Sequence, residues 1–440
     1  MNRPKPPARS RRLFLPLLIA GVLPRLLPAA VVGTNTPAQP LSATRVATLP
    51  PAIRGDWETY LRRSGRQLEA DRAFLQAELR RQHLQQSSPP PPSRGVRSIP
   101  LDQPAAWYSG AEACRIADNI VSFQTPAGGW SKNLDVSLHP RAPGEHFAPD
   151  NSSRFLGSND NDVAGDVAWH YVGTFDNDAT VSELRYLAKV VTALSAKAPA
   201  AYRQAFLRGL DFILAAQYPN GGWPQVWPLE GGYHDAITYN DDAMVNVLRL
   251  LREVSESRPE YGFVPAKARR HAALAVKRGH QCVLDTQVVA GGRRTIWCQQ
   301  HDPLTLQPAS ARNYEMPSLA SAESAQLMRF LMELPKPDAA TVAAVHAAAA
   351  WFRQTAIPDV DYRDPDGNGR RLVHAAGSGP LWARYYDLVT QRPIFGERDK
   401  TIHDTVDEIS KERRNGYGWY RDTPREALTL YADWAKAHPQ

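Results

Sequence analysis

A seven-residue pattern occurs twice in this chain and restricts the folds open to it. Gln124-Thr-Pro-Ala-Gly-Gly-Trp130 and Gln217-Tyr-Pro-Asn-Gly-Gly-Trp223 agree at glutamine, proline, both glycines and tryptophan, and Gln287 followed by Gly291-Gly292 is a weaker third copy. Each copy follows a segment with helical periodicity, at 110–124, 201–217 and 266–284. The glycines stand where a helix needs a left-handed cap and a tight turn. The repeat therefore predicts helices joined by loops of one recurring kind.

A second pattern opens the helices that come after these loops. Thr174-Phe-Asp-Asn-Asp-Ala179 and Thr238-Tyr-Asn-Asp-Asp-Ala243 precede predicted helices at 180–194 and 243–255. The Asp and Asn residues stand where N-caps belong. The repeating unit is thus a helix, a Gly-Gly loop, a polar turn and a second helix. Three such units predict a mainly α fold, an (α/α)3-type toroid of helical hairpins with long irregular loops and few short strands. Function is expected in the loops.

The first 32 residues are predicted to be an export signal. Residues 1–12 are basic, residues 13–23 are apolar but too short to span a bilayer, and Ala29-Ala30 offers a cleavage site. The segment 10–15 resembles a twin-arginine signal. We therefore expect an exported protein, periplasmic or secreted, without a stable membrane span in its mature form. A short membrane anchor is the alternative.

The net charge of the chain is concentrated in this leader. The formal charge is +7, and residues 1–30 carry six basic residues and no acidic one, so the rest of the chain is close to neutral. A basic face for nucleic acid is not expected. The three cysteines do not make a disulfide framework, and if one bridge forms, Cys282–Cys298 is the expected pair.

A Pro-rich segment, residues 33–100, is expected to separate the leader from the main domain at 101–440. Within it, 33–52 is predicted to be disordered and about 54–86 to form one long helix. The run Pro89–Pro92 should act as a linker or a polyproline strut. The main domain is expected to be monomeric.

Three groups of polar residues in the predicted loops are candidates for function. The first comprises the two polar turns, whose oxygens suit Ca²⁺ if the turns face each other, or which serve only as helix caps. The second is a dense run before a helix that carries Glu323, and the third places arginines beside aromatic residues, an arrangement suited to carboxylates and sugar faces. The members of the second group are His301, Asp302, Arg312, Tyr314 and Glu315, and those of the third are Arg384, Arg398, Arg413 and Arg414.

One further motif is predicted to be structural. Asp364-Pro-Asp-Gly-Asn-Gly369 matches the first half of a calcium loop, but the twelfth position is Ala375, where a bidentate glutamate belongs. A Gly/Asp turn is the expected explanation. The chain has no CxxC pair, HExxH or phosphate loop, which argues against redox, metalloprotease and nucleotide chemistry.

Taken together, the motifs from about residue 100 to 425 resemble the family 10 pectate lyases. Those that carry the resemblance are Gly128-Gly-Trp-Ser-Lys-Asn133, Thr174–Thr180, Gly221-Gly-Trp-Pro224, Thr238–Met244, Gln300-His-Asp, Ala311-Arg-Asn-Tyr-Glu315 and the three arginine motifs. The resemblance implies a toroid with an open groove. It also implies Ca²⁺-dependent β-elimination of α-1,4-polygalacturonate, giving 4,5-unsaturated oligogalacturonates.

The same resemblance implies roles for individual residues. Arg312 matches the Brønsted base that abstracts the C5 proton, and Asp176 and Asp241 match acidic positions of the calcium site and catalytic centre. Asp178 and Asp242 are weaker candidates as ligands. The basic residues matched to binding of uronate carboxylates are Lys132, Arg384, Arg398 and Arg413. Two further substrate-binding positions are Asn240 and Tyr314. Sequence alone does not separate Arg413 from Arg414.

An arginine base requires an unusual environment, because its ordinary pKa is above about 12. We expect Lys132, Arg398 and bound Ca²⁺ to lower the pKa of Arg312, and the reaction to be fastest at alkaline pH. Two alternatives remain open at this point. One is a glycoside hydrolase on the same scaffold that uses two carboxylates, from Asp176, Asp241 or Glu315. The other is a non-catalytic protein that binds uronates.

Overall fold

The computed structural model describes Met1 and residues 31–93, 99–152, 160–163 and 165–439, and the predicted export signal at 1–32 lies outside them except for Met1, Val31 and Val32. The helices in this part of the chain are α1 Ala43–Ala47, α2 Pro51–Arg81, α3 Ala111–Ser122, α4 Val181–Leu194, α5 Ala200–Ala216, α6 Ala243–Ser255, α7 Ala266–Asp285, α8 Ser321–Met332, α9 Ala339–Thr355, α10 Lys411–Gly416 and α11 Thr423–Ala437. Among the described residues, none of these helices combines the length and apolar character needed to cross a bilayer.

Three helical hairpins, α4–α5, α6–α7 and α8–α9, stand next to one another and form the body of the protein. Their first helices α4, α6 and α8 pack in an inner row, and α5, α7 and α9 pack in an outer row. Helix α3 packs against the first hairpin, and α11 packs against the last one. The predicted (α/α)3-type toroid, mainly α, is confirmed.

The strands are short and stabilise loops. They are β1 Val31–Thr34, β2 Ile237–Thr238, β3 Val289–Ala290, β4 Arg293–Arg294, β5 Gln300–His301, β6 Leu319–Ala320, β7 Val360–Arg363, β8 Arg371–His374, β9 Trp382–Ala383, β10 Tyr385–Tyr386, β11 Phe395–Gly396, β12 Thr401–His403 and β13 Tyr420–Arg421. All named pairs are antiparallel: β1–β12–β11, β10–β6, β13–β9, β2–β5, β3–β4 and β7–β8. The turn between β7 and β8 is the expected Gly/Asp turn, because Asp364 accepts from the amides of Gly367 and Gly369.

The repeated glutamine and tryptophan join each outer helix to the next. Each glutamine amide donates to a carbonyl one outer helix further on, at 2.8–3.0 Å; the pairs are Gln124 to Ala205, Gln217 to Ala275 and Gln287 to Ala344. Each tryptophan indole donates back to the preceding outer helix; the pairs are Trp130 to Ile120, Trp223 to Ile213, Trp297 to Val283 and Trp382 to Phe352. The structure thus completes the third copy with Trp297 and adds a fourth at Trp382.

The first glycine of each full copy allows the loop to touch the next outer helix. Gly128 has φ of 106° and Gly221 has φ of 95°. A Cβ at Gly128 would lie 2.5 Å from the carbonyl oxygen of Arg208, and one at Gly221 would lie 2.2 Å from that of Arg278. Any side chain would therefore separate the loop from the helix.

Helix α2 is shorter than the sequence predicts at its C-terminal end. It closes at Arg81 because His83 takes a left-handed φ of 57°, and the Leu84 amide then donates to the Leu79 carbonyl at 2.9 Å. This is the Schellman arrangement that ends helices. After it, the proline run lies along the loop that follows α3, with bridges from Ser88 to Glu145 and from Pro92 to Leu134. The run behaves as a strut rather than as a free linker.

The prediction of disorder for 33–52 is wrong. Strand β1 pairs with β12, the Asn35 side chain donates to the carbonyls of Arg312 and Asn313, and the Leu41 amide donates to Asp235. Leu41 and Val46 are buried. The Pro-rich composition predicts no core of its own, but this segment is ordered by the surface of the toroid. Cys282 and Cys298, the pair named for a possible bridge, are both free and buried, and Cys114 is free as well.

Candidate functional site

Two polar turns lie in contact at one end of the neighbouring inner helices α4 and α6. They are the single 3₁₀ turns Asp176–Asp178 and Asn240–Asp242. Asn177, Asp178, Asp241 and Asp242 all have φ between 48° and 63°. This left-handed region is uncommon for residues other than glycine, and such residues cluster where a site requires them.

The prediction that these Asp and Asn residues cap the following helices is wrong. The N-cap positions are Thr180 before α4 and Asp242 before α6, and neither makes a side-chain cap hydrogen bond. Both have positive φ, whereas a capping residue adopts the β region. The last two residues of each turn instead line a pocket of about 820 Å³, together with Lys132, Glu183 and residues of the segments 99–102 and 131–134, whereas Asp176 and Asn240 are buried behind it.

Asp176 in the first turn is buried and ionised. Its Oδ2 accepts from the Lys132 ammonium at 2.6 Å, and its Oδ1 accepts from Gln225 at 3.0 Å. Desolvation by burial raises its pKa, but Lys132 and Arg312 outweigh that effect, and the pKa falls to about 2. The Lys132 ammonium also lies 3.2 Å from the ring centre of Tyr171.

The pKa values of Asp241 and Asp242 in the second turn are shifted in the opposite direction, upward. Desolvation in the pocket and the nearby Asp176 carboxylate raise the pKa of Asp241 to about 6. Desolvation and Glu323 raise the pKa of Asp242 to about 7. The Asp241 side chain is open to solvent in the pocket, and its Oδ2 accepts from Asn240 at 2.8 Å. These acids therefore sit at a position that favours additional positive charge.

Two glutamates in the first turns of inner helices add to this acidic site. Burial, together with Asp178, raises the pKa of Glu183 to about 8. The buried Oε2 of Glu183 and the buried Oε2 of Glu323 accept no hydrogen bond from any described residue. The sequence analysis missed Glu183, although it holds the third position of α4, as Glu323 does in α8.

This set of oxygens fits a hard divalent cation. Ca²⁺ takes six to eight oxygen ligands, mostly from carboxylates and amides. Asp241, Asp242 and Glu183 share one pocket, and burial together with neighbouring acids disfavours the charged form of each, which a bound cation would reverse. Asp176 is less available, because both of its oxygens already accept hydrogen bonds.

Arg384 connects the second turn to α8. Its guanidinium is buried and donates to Glu323 Oε1 at 2.5 Å and to Asn240 Oδ1 at 3.2 Å. The guanidinium carbon lies 4.7 Å from the ring centre of Tyr417. Lys132, Asp176, Asn240, Asp241 and Arg384 are thus brought together, as the sequence predicts.

Arg312 lies on the loop that follows β5, and its side chain is 29% exposed. Its guanidinium is 3.6 Å from Asp162 and 3.7 Å from Glu315. Desolvation by itself would lower its pKa, but Glu315 and the surrounding tyrosines raise the pKa well above the ordinary value. The expectation that Lys132 and Arg398 lower the pKa of Arg312 is therefore wrong for the protein without metal or substrate.

Arg398 and Arg413 form a second cationic group around Tyr314. Both donate to Glu412, and their guanidinium carbons lie 5.6 and 4.4 Å from the Tyr314 ring centre. Arg414 points elsewhere and donates to the Asn368 carbonyl at 2.7 Å, in the turn between β7 and β8. The structure places Arg413, and not Arg414, beside Tyr314.

His301 and Asp302 are part of the loop scaffold. The His301 ring contacts the Leu306 carbonyl at 2.9 Å and accepts from the Cys298 amide at 3.2 Å. Asp302 pairs with Arg45 of α1 at 2.5 Å. They hold the loop that presents Arg312, but neither lines the pocket.

A regular position in the repeat supplies several of these side chains. The residue two positions after each repeated tryptophan contacts the site: Lys132 and Gln225 bind Asp176, Arg384 binds Asn240, and Gln299 accepts from Tyr385. Gln225 and Gln299 were missed by the sequence analysis. Extending the repeat to four copies would have identified both.

Comparisons with known proteins agree with this geometry. The family described as pectic acid lyase matches residues 124–428. A structure of a family 10 polysaccharide lyase from Cellvibrio cellulosa is 30% identical, with a TM-score of 0.63, and the match covers 78% of this chain and 97% of that one. A mutant of a family 10 polysaccharide lyase from Cellvibrio cellulosa, in complex with trigalacturonic acid, is 29% identical with a TM-score of 0.63, over 78% of this chain and 98% of that one. No protein with a curated description matches the sequence.

Proposed function

Because the chain belongs to the pectic acid lyase family and is a polysaccharide lyase, we propose that it cleaves α-1,4-polygalacturonate by Ca²⁺-dependent β-elimination and releases 4,5-unsaturated oligogalacturonates. The complex of a related lyase with trigalacturonic acid supports this substrate class. The two cationic groups support it as well, since a polyuronate carries one carboxylate on every sugar. Arginines beside aromatic rings suit such a ligand.

The substrate carboxylates would be bound by Lys132 and Arg384 on one side and by Arg398 and Arg413 on the other. Arg384 keeps its Nε–H without a partner among the described residues. Tyr314 is buried against the guanidinium groups of Arg398 and Arg413 and would hold both in place for the substrate. Asn240 holds Arg384 in place through its side-chain oxygen. These contacts would orient the polymer across the loops that carry the two cationic groups, beside the pocket that Lys132 lines.

Asp241 and Asp176 would hold Ca²⁺, with Asp242 and Glu183 as additional candidates in the same pocket. Bound there, Ca²⁺ would neutralise the carboxylate next to C5 and so acidify the C5 proton. Lys132 and the arginines would stabilise the enolate-like charge that develops when this proton leaves. These cations are already held in position by ion pairs, so little reorganisation is needed.

Arg312 would take the C5 proton. The observation that carries this assignment is the looseness of its ion pairs: at 3.6 and 3.7 Å they are longer than the 2.5 Å pair of Arg384 and the 2.8 Å pair of Arg398. Its guanidinium can therefore turn toward substrate without breaking a tight pair. Its acidic neighbours raise its pKa, so neutral arginine forms only at high pH or when added cations offset those acids. We therefore propose an alkaline rate optimum.

The experiment is to follow the ultraviolet absorbance of polygalacturonate with purified protein at alkaline pH, in Ca²⁺ and again in EDTA. The absorbance of the unsaturated uronate should grow with Ca²⁺ and stop with EDTA. For Arg312→Lys and Arg312→Ala, we expect kcat to fall by roughly 10²–10⁴-fold, the usual contribution of a general base, with a smaller change in KM.

Arg371→Ala is the matched control, because Arg371 pairs only with Asp366 on the β7–β8 hairpin. It should leave the rate unchanged. New reducing ends without the ultraviolet band would mean hydrolysis and would contradict the proposed reaction. A full rate for Arg312→Ala would leave the lyase assignment intact and reject Arg312 as the base.

We also propose that the protein is exported, because residues 1–32 have the basic, apolar and small-residue order of an export signal. Fractionation of a bacterial host that expresses the full chain should recover it outside the cytoplasm. Replacing Arg11 and Arg12 by lysine should retain it in the cytoplasm if the twin-arginine route is used. Recovery of the unaltered chain in the cytoplasm would contradict the proposal.

A further inference from the structure

Three buried side chains beside the Arg312 loop converge at a point that the proposed reaction does not use. They are Asp162, His170 and His234, whose side chains are 8%, 2% and 4% exposed. One donor atom of each lies within 4.8 Å of the others. The rings of His170 and His234 are 5.4 Å apart and perpendicular, and His234 Nε2 is 3.8 Å from Asp162 Oδ1.

Both imidazoles have one nitrogen engaged and one without a partner. His170 Nδ1 bonds to the Glu230 carboxylate, and His234 Nδ1 lies 3.3 Å from the Gly231 carbonyl. The Nε2 atoms of both residues are buried and make no hydrogen bond to any described residue. Buried polar atoms are rarely left in this state, because burial removes their hydrogen bonds to water. Two such imidazole nitrogens beside one carboxylate are a set of groups that a metal ion can bind.

The groups behind these side chains are those that orient metal ligands. A histidine that binds a metal commonly donates its other ring N–H to a carboxylate or a backbone carbonyl, which fixes the tautomer. Glu230 and the Gly231 carbonyl occupy these positions. Asp162 is positioned by Tyr233, whose hydroxyl donates to it. Asn161 anchors the same short segment, because its backbone N–H donates to the side-chain oxygen of Asn313 at 3.0 Å.

We propose that Asp162, His170 and His234 bind a divalent transition metal ion of the zinc class, at a site distinct from the acidic pocket. Two imidazole nitrogens and one carboxylate oxygen are a donor set for Zn²⁺, whereas Ca²⁺ prefers oxygen donors alone. Donor atoms around tetrahedral zinc are about 3.3 Å apart, given bonds of about 2.0–2.1 Å. The donor atoms therefore need to approach one another by up to about 1.5 Å, and a water molecule would take the fourth position.

Occupation of this site would act on the loop of Arg312. Asp162 is the partner of the Arg312 guanidinium at 3.6 Å. A metal that draws Asp162 toward the histidines would weaken that pair. It would also tie residues 160–163 to the loops before α4 and α6, which carry His170 and His234. The ion would therefore act as a structural tie next to the base.

Metal binding alone tests the site, independently of lyase activity. The full chain, first stripped with EDTA and then dialysed, is titrated calorimetrically with Zn²⁺ in excess Ca²⁺. Co²⁺ is added separately, since tetrahedral Co²⁺ gives a strong visible absorption band. We expect one equivalent of Zn²⁺ that Ca²⁺ does not displace. His170→Gln and His234→Gln should each weaken binding by more than about 100-fold, a larger loss than removal of an outer partner gives.

Glu230→Gln should weaken binding by about 10–100-fold, because it alters only the partner of His170. His403→Gln is the matched control, since His403 also lies beside a carboxylate, Glu408, but its second ring nitrogen is bonded to Thr401. Asp241→Asn should retain Zn²⁺ binding, which separates this site from the acidic pocket. Circular dichroism establishes that each variant is folded. Absence of Zn²⁺ binding to the unaltered chain, or undiminished binding by both histidine variants, would overturn the proposal.

Discussion

The two polar turns have nearly the same sequence and the same backbone shape, yet their carboxylates behave in opposite ways. The pKa of Asp176 is lowered to about 2, and the pKa of Asp241 is raised to about 6. The difference comes from the groups around each carboxylate. Asp176 accepts from Lys132 and from Gln225, whereas desolvation and the Asp176 carboxylate itself raise the pKa of Asp241. A charge on a neighbouring loop, rather than the turn itself, decides which acid is already neutralised.

Removing Lys132 should make the first turn resemble the second, and this is the largest effect that we expect. Lys132→Met leaves Asp176 buried without its cation, which should lower the free energy of unfolding by about 3–5 kcal/mol. Urea unfolding followed by circular dichroism measures it. Adding Asp176→Asn should recover part of the loss. Lys267→Met on the exposed face of α7 is the control, and a Lys132→Met protein as stable as the parent would refute this account of the first turn.

Ca²⁺ should act on the second turn, and its effect should depend on pH. Asp241 and Asp242 have pKa values of about 6 and 7 when folded and about 3.9 when unfolded. Between these values the folded state binds more protons, so in EDTA the stability should fall as pH rises from about 4 to 8. The stability due to Asp176 is lost only below this window, as pH falls through its pKa of about 2.

Ca²⁺ at about 100 times its dissociation constant should raise the free energy of unfolding by about 2.7 kcal/mol at pH 8. The increase should be much smaller at pH 5, where the carboxyl groups of Asp241 and Asp242 are protonated. Thermal unfolding with Ca²⁺ and with EDTA at both pH values measures this difference. An equal Ca²⁺ increment at both pH values would place the cation away from Asp241 and Asp242.

Asp241→Asn should separate stability from cation binding. In EDTA at pH 8 the variant should be as stable as the parent or more stable by about 1 kcal/mol, because it removes a repelled carboxylate that is only partly shielded from solvent. It should also lose most of the Ca²⁺ increment. Asp176→Asn should instead be less stable even in EDTA. The contrast fails if both variants lose the same stability in EDTA.

The smallest effect concerns the backbone that the turns share. Asn177 has a φ of 52° and Asp241 a φ of 48°. Asn177→Gly should raise the free energy of unfolding by up to about 1 kcal/mol, since glycine adopts this region without strain. Asn177→Ala should lower it by a similar amount, and chemical unfolding of the two variants checks the sign. A loss of stability with glycine would mean that the Asn177 side chain, which bonds to Asn133, outweighs the strain.

Periodicity identified the fold because this fold repeats one local unit. The helices that precede Gln124, Gln217 and Gln287, the three hairpins and the resemblance to family 10 pectate lyases are confirmed. The N-terminal segment was misjudged because composition describes what a chain can bury by itself, whereas 33–52 is ordered by contacts with residues 194 and 277 positions away.

The proximity of several candidate residues was predictable from the sequence, but their electrostatics were not. Lys132, Asp176 and Arg384 meet as expected, since helical repeats place equivalent loops at one end. The sign of the pKa shift of Arg312 was wrong, because it depends on Glu315 and on tyrosines from other loops. Glu183 was missed because its burial is a tertiary property. The pairing of Asp162 with His170 and His234 leaves no spacing signal in the sequence for the same reason.

The pairing of β1 with β12 has a consequence for how a nascent chain forms the loop that carries Arg312. Asn35, next to β1, holds the carbonyls of Arg312 and Asn313, and β1 itself is held by Thr401–His403. The earliest described strand must therefore wait for one of the last before this loop has all of its backbone partners. Local hairpins can form as soon as they are made, but contacts of such sequence separation form late. Completion of the Arg312 loop thus coincides with completion of nearly the whole polypeptide, and a truncated product would lack some of the backbone partners of Arg312 and Asn313.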